Sequence, residues 1–220
     1  MSTFAGSPRV LRVGLVLLDP TSASVERVIV LQYNPDSLTR SFQLQAFASG
    51  TDAARSESLR LKAPPVETFK LDAELDATDQ LEHPDQNAVT VEAGLFPELA
   101  ALETMLYPTS TRLQTIASLS RGGTLEISPE QAPLSLLVWS KQRVVPVRVT
   151  DLSITEEAFD PNLNPIRAKV SLGLRVLSIA DVPTDHRIAG LFLSYLQRKE
   201  QLAARSPLRS LSVLGIQSVS

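Results

Sequence analysis

Asp160, Asn162 and Asn164 stand two residues apart, the spacing at which a calcium loop presents its first oxygen ligands. Such a loop also needs Gly at its sixth position and a bidentate Glu at its twelfth, between two helices. Counted from Asp160, these positions are Pro165 and Ser171, and both flanks read as strands. The segment is therefore read as a connection. Pro161 and Pro165 stiffen it, and Asn162 and Asn164 suit turn backbone. A stiff polar loop between strands is more often an interaction element than a chemical site, which singles out Asp160, Asn162, Leu163, Asn164 and Ile166.

The other chemistry-bearing residues do not converge. Asp72, Glu74 and Asp76 share one face of a strand. They could hold a cation or a basic partner, but a solvated outer face is the simpler reading. Glu156 and Glu157 are adjacent, so on a strand they point apart and make a poor acid–base pair. His83 reads as a surface-loop residue, and His186 as the start of a helix capped by Thr184 or Asp185. Gly122-Gly123 lacks the lysine of a phosphate loop. With no cysteine in the chain, disulfides and thiolate chemistry are excluded. No catalytic, metal or cofactor site is expected, and the chain is read as a non-enzyme.

The elements that position these residues are mostly strands. Leu11, Val13 and Leu15 alternate with polar or small residues, and Arg27–Tyr33 is a nearly continuous apolar run. Asn34-Pro35-Asp36-Ser37 is a turn, so residues 27–45 suggest a hairpin or a sharp strand–turn–strand. Gly50–Ser58 reads as a polar loop. A strand restarts at Leu59 and Leu61, and Pro64-Pro65 is expected to break it. Phe69, Leu71, Ala73 and Leu75 then alternate with charged residues. Asp79–Asn87 reads as loop. Leu95, Leu99, Leu102 and Leu106 share one face of a helix that Pro97 opens and Pro108 stops. Thr111–Ser120 is a second short helix or an irregular link.

Leu134–Trp139 and Arg143–Val149 have hairpin spacing. Val145, Val147 and Val149 share one parity, whereas Leu152 and Ile154 take the other. That slip near Thr150-Asp151 predicts a β-bulge, and Pro146 predicts an edge or bulged position. Ala168 to Val176 alternate without a flaw. Ile188, Leu191, Phe192, Tyr195, Leu196, Leu202 and Ala203 line one face of a terminal helix, with Arg198, Lys199 and Glu200 assigned to solvent.

The fold class expected is mainly β (α+β), a barrel or sandwich with one packed helix and a C-terminal helical extension. Domain limits are set at residues 1–180 and 181–220. The formal charge is −3, made of +4 on residues 187–220 and −7 on residues 1–186. No global basic field marks a nucleic-acid partner. The run Val10–Leu18 is too short to span a membrane, and the first ten residues do not read as a signal peptide. Neither nucleic-acid binding nor direct membrane insertion is expected.

Four stretches together resemble a known family: Gln32–Phe42 (QYNPDSLTRSF), Ala63–Asp76 (APPVETFKLDAELD), Leu134–Ser153 (LSLLVWSKQRVVPVRVTDLS) and Ile154–Val176 (ITEEAFDPNLNPIRAKVSLGLRV). They are similar to the tube-type domain of the baseplate adaptor, or tube initiator, of extracellular contractile injection systems. The Tyr-Asn-Pro turn and the Phe-Asp-Pro-x-Leu-Asn-Pro loop are the most specific parts. The resemblance implies a barrel like that of phage tail-tube subunits, forming a homo-hexamer between the central spike and the inner tube, with no cofactor. It adds the inner-tube protein, the central spike protein and baseplate wedge components as partners. Assembly would be cytoplasmic, in a particle that is released or stays in the cell. Many relatives carry a peptidoglycan-binding LysM domain after the barrel. Residues 181–220 have the wrong pattern for one, so that activity is not carried over. Asn34 and Asp36 in the turn, and Leu191, Tyr195 and Arg198 on the last helix, join the expected interface residues. The alternatives are a major inner-tube subunit and a small-molecule-binding β-barrel.

Overall fold

The computed structural model describes residues 11–19, 22, 24–46, 61–121, 134–206 and 211–217. The expected loop at 50–58 and the Gly122-Gly123 turn lie outside them. Seven strands form one antiparallel sheet in the order β2-β1-β5-β6-β7-β4-β3. They are β1 (Gly14–Leu18), β2 (Val25–Val30), β3 (Leu38–Ala46), β4 (Leu61–Asp76), β5 (Leu134–Ser140), β6 (Arg143–Phe159) and β7 (Pro165–Val176). The helices are α1 (Thr78–Leu81), α2 (Ala88–Ala93), α3 (Phe96–Glu103), α4 (Ser110–Arg121) and α5 (Arg187–Ala204). The fold is mainly β with a few helices, as the alternation of the strands predicts.

The sheet curls. In a flat sheet β1 and β4, four places apart, would be separated by about 19 Å. Yet consecutive residues touch both: Leu31 N–H donates to Val13 O, and the Gln32 amide brackets Asp76, donating to its carbonyl at 2.6 Å and accepting from its N–H at 2.7 Å. Asn34 does the same to the residues just before β1, accepting from Val13 N–H and donating to Leu11 O. Two side-chain amides thus stand in for strand bonds and hold the two ends of the sheet together. Residues 27–45 therefore form no hairpin. β2 and β3 are the two edges of the sheet, and the strand–turn–strand is the form that stands.

The inner face is packed by alternate residues: Leu15, Phe69, Leu71, Val145, Val147, Val170 and Leu174 are all nearly inaccessible. Burying a side chain of this size contributes roughly 1.5–3 kcal/mol, so the core is what holds the curl. The expected bulge is present: the register of β6 against β7 shifts between Val149 and Asp151. Gly173 faces it, and a Cβ there would lie 3.0 Å from Asp151 Cβ.

Several local expectations give way. β4 runs unbroken through Pro64 and Pro65. The register with β3 slips beside them, and pairing with β7 begins only at Thr68, so no ladder partner is lost there. Pro146 lies in an interior strand, not at an edge. Its carbonyl accepts from Leu177, so its missing N–H faces the side where β7 ends. Residues 79–87 contain α1 and a 3-10 turn at Pro84–Gln86, and α2 is a further helix. Leu95, Leu99 and Leu102 are buried, but Leu106 is past the end of α3 and exposed. Residues 110–121 are the helical option of the two foreseen.

Candidate assembly surface

The Asp160–Asn164 loop joins β6 to β7 and satisfies itself. Asp160 Oδ1 accepts from the N–H groups of Asn162 and Asn164 at 2.8 Å, and Oδ2 accepts from the Asn164 side chain at 2.8 Å. These donors, the Asn164 N–H first, hold the Asp160 carboxyl below the ordinary carboxylate range. Asn164 also donates to Glu92 O at the end of α2. The next contacts are closer still: Leu95 N–H donates to Pro165 O, and a Cβ at Gly94 would meet that carbonyl at 2.5 Å. Gly94 has φ of +56°, a conformation that glycine adopts without strain. The loop is thus clamped to the α2–α3 joint rather than standing free. Pro161, Asn162 and Leu163 face outward, and Leu163 has φ of +65° and 73% of its surface exposed. Ile166 is half-buried and packs against the core.

On the other side of the sheet from the core, the turn at residues 33–37 overhangs β4, β6 and β7. A cleft of about 460 Å³ opens beneath it, lined by Asp36, Asp72, Glu74, Ser153, Lys169 and Ser171 among others. Asn34 is spent on Leu11 and Val13 ahead of β1, and Asp36 is exposed. Asp72 accepts from Ser171 Oγ at 2.6 Å. Asp76 is bound by Arg167 at 2.9 Å, and Glu157 by Lys169 at 3.0 Å.

The opposite end of β4 carries a buried carboxylate. Glu67 falls on the apolar parity of its strand and is 4% exposed. Its Oε1 accepts from Arg40 at 2.6 Å and from Tyr195 OH at 2.9 Å, and its Oε2 accepts from Lys199 at 2.8 Å. Arg40 also lies over the rings of Phe42 and Phe69, and Lys199 over Phe42 and Tyr195. Burial raises the Tyr195 phenol above the usual tyrosine value, with Glu67 adding to it. Burial first of all lowers the Lys199 ammonium below the usual lysine value; Glu67 lifts it, and Arg40 and Arg143 push it down further.

This cluster fastens α5 to the sheet, and it corrects several assignments. Lys199 is turned to Glu67, not to solvent. Tyr195 is buried with Phe192 in the main core, so it serves the inside of the subunit and offers no free surface. Leu191 is half-buried against Leu18, Leu134, Leu136 and Ile188. The cap of α5 is His186 itself, whose Nδ1 accepts from Ile188 N–H. Arg198 is exposed and donates to Lys141 O at the β5–β6 turn. Sequence reasoning missed Glu67 and Arg40. The signal was present: each is a charge on an otherwise apolar parity, beside Phe69 and Leu71 in one case and Leu38 and Phe42 in the other.

Among the described residues, no group of three or more His, Asp or Glu side chains could hold a metal ion. No described helix is long and apolar enough to cross a membrane. Over residues 16–180 the chain matches the family described as contractile injection system tube protein. The chain belongs to that family. It is a structural component of a contractile injection system, assembling with other tube components. No curated protein matches it. The tube-family span contains the 33–37 turn, the Asp160 loop and all seven strands apart from the first two residues of β1. α5 lies beyond it.

Proposed function

We propose that the chain forms the hexameric ring that joins the central spike to the inner tube and templates tube assembly. One observation carries the ring: both edges of the sheet are open and apolar. Val25, Val28 and Val30 are exposed on β2, and Phe42 and Leu44 on β3. Neither strand pairs on its outer side among the described residues. Open apolar edges are a hazard unless another chain covers them, and one edge meeting the other on a neighbouring copy repeats as a ring when the rotation closes. The place of that ring, at the spike end of the tube, rests on the resemblance of the four stretches to adaptor proteins. Residues 1–180 would form the ring domain. Residues 181–220, with α5 docked by Phe192 and Tyr195, would face baseplate wedge components. Assembly would take place in the cytoplasm.

The packed inner face speaks against the small-molecule barrel, because Phe69, Leu137 and Leu174 fill it. The experiment is an affinity pull-down of the tagged chain from its host, with mass spectrometry of the co-purifying chains and negative-stain imaging of the same eluate. Tag label at one end of particles that contain sheath, tube and spike chains is the expected result. Label repeated along the tube would make the chain the major tube subunit. An unassembled monomer, from cells that hold particles, would overturn both.

A further inference from the structure

The two ends of β6 differ in charge. At its start, the β5–β6 turn presents exposed Lys141, with Arg143 behind it and Arg198 of α5 donating to the Lys141 carbonyl. Arg143 lies close enough to act on Tyr195 and Lys199, and Lys199 shares Glu67 with Arg40. Lys141, Arg143 and Arg198 thus stand beside the cluster in which Arg40 and Lys199 share the buried Glu67; Glu200 is the other acid along α5. At the far end, Ser153 and Thr155 of β6 line the cleft that also holds Asp36, Asp72 and Glu74. Of the cations on that face, Arg167 is used on Asp76, Lys169 on Glu157 and Arg175 on Asp181, while Lys70 is exposed two residues before Asp72 on β4. Lys169 senses Glu74 only at a distance. Asp36, Asp72 and Glu74 themselves form no salt bridge among the described residues.

We infer that the Lys141 turn of one copy docks into the Asp36–Asp72–Glu74 cleft of the next, as a heterologous contact between copies of this chain. The inference rests on the ring reading above and adds a second contact between copies beside the pairing of the β2 and β3 edges. Within one chain the contact cannot form: Arg143 and Thr155 are twelve residues apart on one strand, about 40 Å at strand rise. Between copies it is complementary in shape and sign. The turn protrudes, and bracing by Arg198 means little order is lost when it binds. The cleft is rimmed by the hydroxyls of Ser153, Thr155 and Ser171, which can accept from an ammonium group. A single kind of contact between two different patches also generates a closed ring or an open stack, whichever the rotation dictates.

The test uses the full chain. A zero-length carbodiimide couples an amine to a carboxylate in direct contact. Applied to a mixture of unlabelled and ¹⁵N-labelled protein, it should join Lys141 to Asp72 or Glu74, with the mixed-isotope pairs that prove two chains. Lys141→Glu, and separately Glu74→Lys with Asp36→Lys, should each weaken self-association at least about tenfold, since like charges are then juxtaposed. Mixing the two variants should restore it. All these positions are exposed, and unchanged melting curves would show that each variant is folded. If the wild-type chain assembles but neither reversal matters, or Lys141 couples to another protein of the particle instead, this contact is wrong and the ring reading stands. If the wild-type chain neither self-associates nor enters particles, both fall.

Discussion

Two aspartate or glutamate side chains do the same job in opposite surroundings. Glu67 is buried and ties α5 to the sheet with three side chains from two other elements. Asp160 is half-buried at the surface and ties a loop to itself, mostly through backbone N–H groups. The first loses its water and must be compensated by cations; the second keeps water within reach and needs only local geometry. It follows that long-range architecture hangs on Glu67, whereas Asp160 governs only the shape of its loop. Removing either group would test that division.

The largest effect is expected from Glu67→Ala. Breaking a buried ion pair costs roughly 3–5 kcal/mol. Arg40 and Lys199 retain 28% and 34% exposure and can turn to water, so the loss should fall near the lower figure, about 3 kcal/mol. Urea unfolding followed by far-UV circular dichroism measures it. A loss no larger than that of a surface substitution would mean α5 is held by Phe192 and Ile188 alone.

Next comes Gly94→Ala, at the joint that clamps the Asp160 loop. The added methyl meets Pro165 O at 2.5 Å, and φ is +56°. Both are backbone constraints, so neither can be relieved by a rotamer change. A cost of about 2 kcal/mol is expected, read from the same unfolding curves. Were it neutral, the loop would have to be movable as a unit, and its comparison with Glu67 would lose its fixed reference.

Tyr195→Phe removes one donor from Glu67 and leaves both cations. A hydrogen bond to a charged group is worth roughly 1.5–3 kcal/mol, and the lower figure applies because Glu67 keeps other donors. The phenol also gives a pH signature. Its pKa in the folded chain is raised, first by burial and then by Glu67. The neutral form is therefore favoured in the folded state. That contribution is fully present below the unfolded tyrosine value of about 10 and is lost as pH rises through the higher folded value. In a Tyr33→Phe, Tyr107→Phe background, absorbance at 295 nm should show Tyr195 ionising later than a free tyrosine and together with unfolding. Ionisation at the ordinary value, with the fold intact, would place the hydroxyl in water.

What the sequence revealed and what it concealed divide along the same line. Local patterns were legible. The unbroken alternation of β7 gave its buried face, and the change of parity between Val149 and Leu152 marked the bulge that Gly173 accommodates. The family was legible from the turn at 33–37 and the loop at 159–165. Partnerships between distant residues were not. Lys199 looks like the solvent side of an amphipathic helix until Glu67, 132 residues away, is known to lie beneath it. Pro64-Pro65 looks like a break until the slip in β3 is seen. Nor does residue order disclose that residues 31–34 cross between the two edges of the sheet, because the bonds that put them there are made by Gln32 to Asp76 at the end of β4 and by Asn34 to Leu11 ahead of β1.

The smallest effect, and the sharpest contrast with Glu67, is that of Asp160. Its carboxyl pKa is lowered, by the Asn164 N–H first. A lowered value means that the ionised form is favoured in the folded loop. The stabilisation is present above the ordinary carboxylate range, near pH 4, and is lost as pH falls through the depressed folded value. Amide exchange at Asn162 and Asn164 should therefore stay slow through pH 4 and accelerate only below it. In Asp160→Ala these two amides should exchange fast at every pH, while the midpoint of global unfolding stays where it is. If the substitution lowered that midpoint as Glu67→Ala does, the loop would belong to the cooperative core. Its clamp on α2 and α3 through Pro165, and not its own turn, would then be what Asp160 sustains.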